Sequence, residues 1–232
     1  MVAPNGARKT KKDHPNLPIT ISETVKEALN CFNEGANAIN AHVRDKKGDH
    51  CLDIGLYREL LSELDIKVPE LPVQITTESV GKFSPEEQFE VVKLVQPEAA
   101  SVALIEMMPN IKDHRLAQNF YNFAIENNVQ IQHILYSVED LKLFKKAIEL
   151  KLIPKKNLQF LYVLGRYDKN FQSKKEDLDL FLDEHKNITY EIDWGICAFG
   201  RSETDCLIKS NLHGGKVRVG FENNFYNQNG TV

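Results

Sequence analysis

The chain lacks most of the signatures that fix a function class at sight. None of its four cysteines (Cys31, Cys51, Cys197 and Cys206) belongs to a CxxC pair. They read as reduced thiols of a cytoplasmic protein, and no disulfide frame is expected. No GxGxxG follows the first strand-like run, and no GxxxxGK[ST] occurs anywhere, which lowers the nucleotide-binding folds. No apolar run reaches the length of a membrane span and the N-terminus has no apolar signal core, so no membrane partner is expected. A net charge of −4 gives no reason to expect nucleic acid. No low-complexity segment and no Gly-, Pro- or Ser-rich linker divides the chain, so residues 1–232 are expected to form a single domain. With 42% hydrophobic and 27% charged residues, disorder is excluded as well.

What is present is an alternation. Short apolar runs read as strands at 38–43, 71–75, 100–104, 131–135, 158–164, 189–192 and 217–219, with an eighth starting at Val2-Ala3. Between them lie amphipathic helical patterns. SETVKEALNCFNEG has Ser22 as its expected N-cap and ends at Gly35, and SPEEQFEVVKLV has Ser84 at the cap and Pro85 at the first helical position. DHRLAQNFYNFAIENN, SVEDLKLFKKAIELK and KKEDLDLFLDEH carry apolar residues at steps of three and four. Strands recur at roughly the length of one βα unit, and strands apolar on both faces belong to parallel sheets covered by helices. The expected fold is an α/β, (β/α)8 TIM barrel, with a doubly wound open sheet as runner-up.

In such a barrel, function gathers at the C-terminal ends of the strands. NAHVRD ends the second expected strand, QITTES the third, SVALIE the fourth and VRVGFENN the eighth. Strands two and eight both flank strand one, so His42 and Glu222 are expected to face each other across the mouth although they stand 180 positions apart. Imidazole nitrogen and carboxylate oxygen are standard zinc ligands. Asn40, two residues from His42 and on the same side of a strand, offers a neutral amide oxygen that suits harder cations better. The alternative is that His42 simply bonds a neighbouring carboxylate and Asp45 caps the next turn. The basic run Arg8, Lys9, Lys11 and Lys12 either holds anionic groups or is a solvated loop. His133 reads as a satisfied core residue and Cys197 as core, whereas His50, His114, His185 and His213 read as surface.

The segments VAPNGARKTKKDHPNLPIT, EALNCFNEGANAINAHVRD, PEEQFEVVKLVQPEAAS, GICAFGR and GGKVRVGFENN, in this order, resemble the β-keto acid cleavage enzymes, the family of 3-keto-5-aminohexanoate cleavage enzyme. The resemblance runs from residue 2 to the end of the chain. It implies a barrel that binds one zinc ion and exchanges acyl groups between a β-keto acid and acetyl-CoA, giving acetoacetate and a new acyl-CoA. It implies metal ligands at His42, Glu222 and Asn40, and a catalytic dyad at Arg218 and Asn223. Thr76 falls on the family's substrate-contacting hydroxyl. Arg8, Thr77 and Ser101 are further expected substrate contacts. The family is commonly oligomeric, so a homo-oligomer is expected.

Five positions depart from the family's pattern. Asn40 stands where a second metal histidine is implied, and Asn223 where an aspartate is implied. Glu78 and Ser79 stand where glycines usually follow strand three. Arg8 replaces an acidic residue of the first loop, which argues against an amine-bearing substrate. The resemblance also implies a longer strand one and a C-terminal helix beyond ENNFY, both expected to be missing. These departures support a second expectation, a barrel of the same family with impaired catalysis that binds a small ligand or a partner.

Overall fold

The computed structural model describes residues 1–111, 114–227 and 229–232; Asp113, which opens the expected helix DHRLAQNFYNFAIENN, lies outside them. In chain order the elements are α1 (Ile21–Asn33), β1 (Ile39–Ala41), β2 (Val43–Arg44), β3 (His50–Cys51), α2 (Ile54–Lys67), β4 (Val73–Thr76), α3 (Pro85–Val95), β5 (Ala99–Ala103) and α4 (Leu104–Met107). They continue with α5 (Arg115–Glu126), β6 (Gln130–Leu135), α6 (Val138–Glu149), β7 (Gln159–Leu164), α7 (Asp177–His185), β8 (Asp193–Ala198), α8 (Glu203–Leu212) and β9 (Lys216–Val217). No helix among the described residues is long and apolar enough to cross a membrane.

Local chemistry explains most boundaries. Ser84 caps α3 through a capping box with Glu87, and Pro85 opens it, as the sequence leads one to expect. Helix α1 takes its cap two residues before the expected one. Thr20 takes that role, because its hydroxyl accepts from Glu23 N–H while the Glu23 carboxylate accepts from Thr20 N–H. The strand expected at 189–192 is displaced to Asp193–Ala198. Gly195 lies inside this strand, paired with Leu161 and Lys216, and a Cβ there would lie 2.9 Å from the Lys216 carbonyl oxygen of β9, so the two backbones approach closely only at a glycine. The expected second strand is interrupted at His42, and Val43–Arg44 leaves it to pair antiparallel with His50–Cys51.

Seven strands form a curled, all-parallel sheet in the order β1-β4-β5-β6-β7-β8-β9. The apolar runs bury their outer faces against the helices. Tyr57, Leu60 and Leu64 of α2, Phe120 of α5 and Phe144 of α6 pack there with Ile39, Ile75 and Phe160. A smaller cluster, Ala103, Ile134, Leu161, Val163 and Cys197, fills the inside of the curl. The two edges of the sheet meet at one residue. Val2 bridges Ile39 on one side and Val219 on the other, both in parallel. Its N–H donates to Ala38 O at 2.8 Å and its carbonyl accepts from Asn40 N–H at 2.8 Å, while Ala3 N–H donates to Val219 O at 2.7 Å.

The loop after this seam reaches the mouth of the sheet. Gly6 adopts φ +63°, and a Cβ there would lie 2.5 Å from Glu222 Cγ, so only glycine lets the loop rest on that side chain. Replacing Gly6 by Ala therefore adds crowding to a left-handed backbone cost of about 1–2 kcal/mol. Gly35 shares the positive φ, at +97°, with nothing within 4 Å of its Cβ position, and so isolates the backbone cost. Denaturant midpoints are expected to show Gly6→Ala clearly less stable than Gly35→Ala; equal losses would mean that the loop yields freely.

His133 is a core residue, as expected. Its ring packs edge-on against Phe144 and stacks on Tyr121, with Nδ1 3.1 Å from Gln159 O. Burial pushes its pKa down from 6.5 to about 4. Between those values the unfolded chain binds more protons than the folded one, so stability is expected to fall as pH drops through that window. Urea unfolding at pH 7 and pH 4.5 should show a smaller acid loss for His133→Phe than for the parent. Parallel losses would assign acid sensitivity to other groups.

Candidate functional site

The C-terminal ends of the strands surround a cavity of about 400 Å³. The first loop and the strand ends supply polar and aromatic groups to it. The seam loop gives Asn5, Arg8 and Lys9; β1 gives Asn40; β4 and β5 give Thr76 and Ser101. Glu78, Tyr136, Arg166 and Phe199 follow the ends of β4, β6, β7 and β8, while Arg218, Glu222 and Asn223 follow β9.

The first loop is tied to the sheet by backbone-directed bonds. Asn5 Nδ2 donates to His42 O at 2.9 Å, and His42 N–H donates to Asn5 Oδ1 at 3.3 Å. Buried Arg44 donates from Nε and Nη2 to Gly6 O at 3.1 and 2.6 Å, from Nη2 to Lys9 O at 3.0 Å, and from Nη1 to Gly48 O at 2.8 Å. The guanidinium fork suits this task because it satisfies several carbonyls from one rigid plane. Asp45 caps the following turn by accepting from Lys47 and Asp49 N–H.

His42 and Glu222 do face each other. Nε2 of the histidine lies 3.4 Å from Oε2 of the glutamate. The other oxygen of Glu222, Oε1, accepts from Arg218 Nη2 at 2.9 Å. Burial alone would raise the Glu222 carboxyl, but Arg218 and His42 outweigh it and hold the pKa down at about 2. The buried Arg218 guanidinium also donates from Nη2 to Asn223 Oδ1 at 3.2 Å and to Cys197 Sγ at 3.3 Å. Burial lifts the Cys197 thiol to about 11, so it stays neutral beside the cation.

The remaining expected residues are placed as follows. Asn40 is fully buried; its Nδ2 donates to Gln74 Oε1 at 2.8 Å and to Ser101 Oγ at 3.1 Å, and its Oδ1 has no hydrogen-bond partner. Thr76 Oγ1 accepts from Glu78 N–H at 3.0 Å. The Thr77 hydroxyl points to Ser101 O at 3.1 Å and Gln88 Oε1 at 3.3 Å. Arg8 Nε lies 3.6 Å from Glu78 Oε1. Lys9 donates to Phe221 O at 2.7 Å with its Nζ over the Phe225 ring, and burial lowers its pKa to about 8. Lys11 turns away from the cavity to pair with Glu23.

Sequence reasoning did not assign a role to Glu78, Tyr136, Arg166 or His50. Glu78 was visible as a departure from a glycine. His50, expected at the surface, is buried; the short β2–β3 hairpin folds it inward, its ring 5.2 Å from that of His42. Its Nε2 lies 2.8 Å from Glu78 O, and since a carbonyl only accepts, that nitrogen carries the proton. Burial, then the neighbouring His42, push its pKa down to about 3, so the ring stays neutral. Arg166 lies among the rings of Phe171, Tyr167 and Phe199, with Cζ 5.5 to 5.8 Å from their centroids.

A family profile described as beta-keto acid cleavage enzyme matches residues 1–232. The 3-keto-5-aminohexanoate cleavage enzyme of Acetoanaerobium sticklandii is 28% identical over 97% of this chain and 82% of its own length. The 3-oxoadipate:acetyl-CoA acetyltransferase of Cupriavidus necator is 22% identical over 96% of this chain and 78% of its own length. Among solved structures, ObcA in its ternary complex with a C4-CoA adduct and oxalate superposes with a TM-score of 0.69 at 13% identity, over 92% of this chain and 59% of the ObcA chain. A type I 3-dehydroquinate dehydratase from Clostridium difficile follows the same course with a TM-score of 0.64 at 12% identity, over 94% of this chain and 83% of its own. At these identities the structural likeness speaks for the fold alone. The match along the whole chain goes further: the protein belongs to the β-keto acid cleavage enzyme family.

Proposed function

We propose that the chain catalyses acyl exchange between a β-keto acid and acetyl-CoA, on a (β/α)8 barrel whose first strand is the seam at Val2-Ala3. In this reaction the bond between the keto carbon and the carboxymethyl group breaks. The carboxymethyl carbon bonds to the acetyl group to give acetoacetate, and the released acyl group bonds to the CoA sulfur. The observation that carries the reading is Arg218, a guanidinium buried at the cavity and anchored by Glu222 and Asn223.

Each residue type suits one demand of that chemistry. Arg218 Nε is buried without a hydrogen-bond partner, so it is a donor available to an oxyanion that develops in the cavity. Asn223 orients Arg218 through Oδ1 but adds no charge, which leaves Glu222 as the carboxylate that balances the guanidinium. Thr76 and Ser101 line the cavity with hydroxyls. Arg8, Lys9 and Arg166 set three cations around it, which matches a substrate carboxylate and the phosphates of CoA. Thr77, held by Ser101 O, supports the strand end that carries Thr76 and Glu78.

The donor set also suits the metal that the resemblance implies. His42 Nε2 stands opposite Glu222 Oε2, a buried oxygen with no hydrogen-bond partner. His42 and Glu222 would hold zinc, with the unpartnered Asn40 Oδ1 as a neutral oxygen nearby. When bound, the ion supplies Lewis-acid polarisation of the keto carbonyl.

The test is direct. Purified protein is incubated with acetyl-CoA and a panel of β-keto acids bearing neutral or anionic side groups, and acetoacetate and the new acyl-CoA are measured. Arg218→Lys should lower kcat/KM by about 100-fold or more, since the point charge cannot replace the fork. No exchange across the panel with metal supplied would overturn the reading. If Asn40→His combined with Asn223→Asp then gained activity that the parent lacks, the impaired, ligand-binding alternative would take its place.

A further inference from the structure

Three side chains from three separate strand ends converge at the cavity. One imidazole nitrogen of His42 and one carboxylate oxygen each of Glu78 and Glu222 all lie within 4.8 Å of one another. The His42–Glu222 separation of 3.4 Å is what two donors have when each lies about 2.1 Å from a shared ion at a tetrahedral angle. The groups are prepared for this in different ways. Glu222 gives one oxygen to Arg218 and leaves the other, Oε2, buried without a hydrogen bond and facing only the His42 ring. His42 is 2% exposed, and its backbone is fixed on both sides by Asn5. The backbone of Glu78 is fixed likewise: its N–H donates to Thr76 Oγ1 and its carbonyl accepts from His50 Nε2.

Two carboxylates this close repel each other unless a cation lies between them. Arg8 does not fill that role, because it is more than half exposed and approaches Glu78 alone, at 3.6 Å. A second buried group points the same way. Asn40, fully buried beside the same cavity, leaves its Oδ1 without a partner. We propose that Glu78 is a direct ligand in a divalent-cation site formed by His42, Glu78 and Glu222. The proposal deepens the acyl-exchange reading, on which it rests for placing the ion beside the substrate. One nitrogen and two anionic oxygens make a harder donor set than two imidazoles and a carboxylate, so the site accepts Mn2+ alongside Zn2+.

The full-length chain, stripped with a chelator, is titrated with MnCl2 and with ZnCl2 by calorimetry. One ion per chain is expected. Glu78→Gln, with its fold checked by circular dichroism, should weaken the affinity by about 100-fold or more, because losing an outer-shell partner alone costs about 10–100-fold. Asn40→His should raise Zn2+ affinity relative to Mn2+ by about tenfold. Anomalous diffraction from Mn2+-soaked crystals of the parent reads the same point without a variant. A peak bonded to Glu78 supports the proposal, and a peak elsewhere overturns it. Binding lost in His42→Ala but unchanged in Glu78→Gln, or acyl exchange by a chain that binds neither ion, would sink the Glu78 site and leave the acyl-exchange reading standing. A Glu78-dependent ion with no exchange across the substrate panel would do the reverse.

Discussion

The site depends on a backbone seam two residues long. Without the bonds that Val2 and Ala3 make to Ala38, Asn40 and Val219, β1 and β9 would be the free edges of an open sheet. His42 and Glu222 would then have no reason to meet. The same seam feeds directly into the Asn5–Lys9 loop, so joining the edges and covering the site are one event along the chain. Asn5 and Arg44 then fix that loop through bonds to and from backbone groups. Their partners are carbonyls and amides, which every residue carries, so the loop's path is held whatever side chains it bears toward the cavity.

Electrostatics inside this frame are arranged in a row. Arg218 and Glu222 form a buried ion pair, which is stabilising only where the remaining donors and acceptors are also met. Cys197 and Asn223 meet two of them without adding charge. The far oxygen of Glu222 is left over, and it faces His42 and Glu78. Burial, together with Glu222 and Glu106, raises the Glu78 carboxyl, while His42 and Arg8 oppose that rise. The row therefore ends in a place where positive charge is short, because the nearby Lys9 gives its Nζ to Phe221 O and the Phe225 ring.

Much of this was legible in the sequence, for identifiable reasons. The repeating run of buried strand and amphipathic helix carries its own period, which gave the parallel sheet and five of its helical patterns. His42 opposite Glu222 followed from the order of strands in a closed topology. The misses share a cause as well. Thr20 and Ser22 are both competent caps, and only the reach of Glu23 decides between them. The strand read at 189–192 lies a few residues too early, because TYEI carries the apolar and β-branched residues that mark a strand while DWGICA is shown as one only by its pairing with β7. His50 reads as a surface residue because it lies in a polar stretch, and its burial follows from a hairpin whose two-residue strands are too short to leave a periodic signal. Glu78 shows in the sequence only as a departure from a glycine, since a residue next to a strand end gains a direction only after the curl brings three strand ends together.

The departures from the family's pattern are better understood together than singly. The resemblance implies an acid at position 223 and a glycine at position 78; this chain has Asn223 and Glu78. The number of carboxylates around Arg218, Glu222 and His42 is thus kept, while one of them has moved from the Arg218 side of Glu222 to the His42 side. On the first side the loss is small for geometry, because Asn223 Oδ1 still accepts from Arg218 Nη2. On the second side the gain coincides with the absence of a histidine at Asn40. A neutral donor lost at Asn40 and an anionic donor gained at Glu78 leave the proposed cation with the same number of strong ligands but with more negative charge. Simple decay would remove groups without replacing them. The proposed site, by contrast, sets a carboxylate whose backbone is fixed by Thr76 and His50 against the histidine missing at Asn40, which is a different balance of charge and not a bare loss.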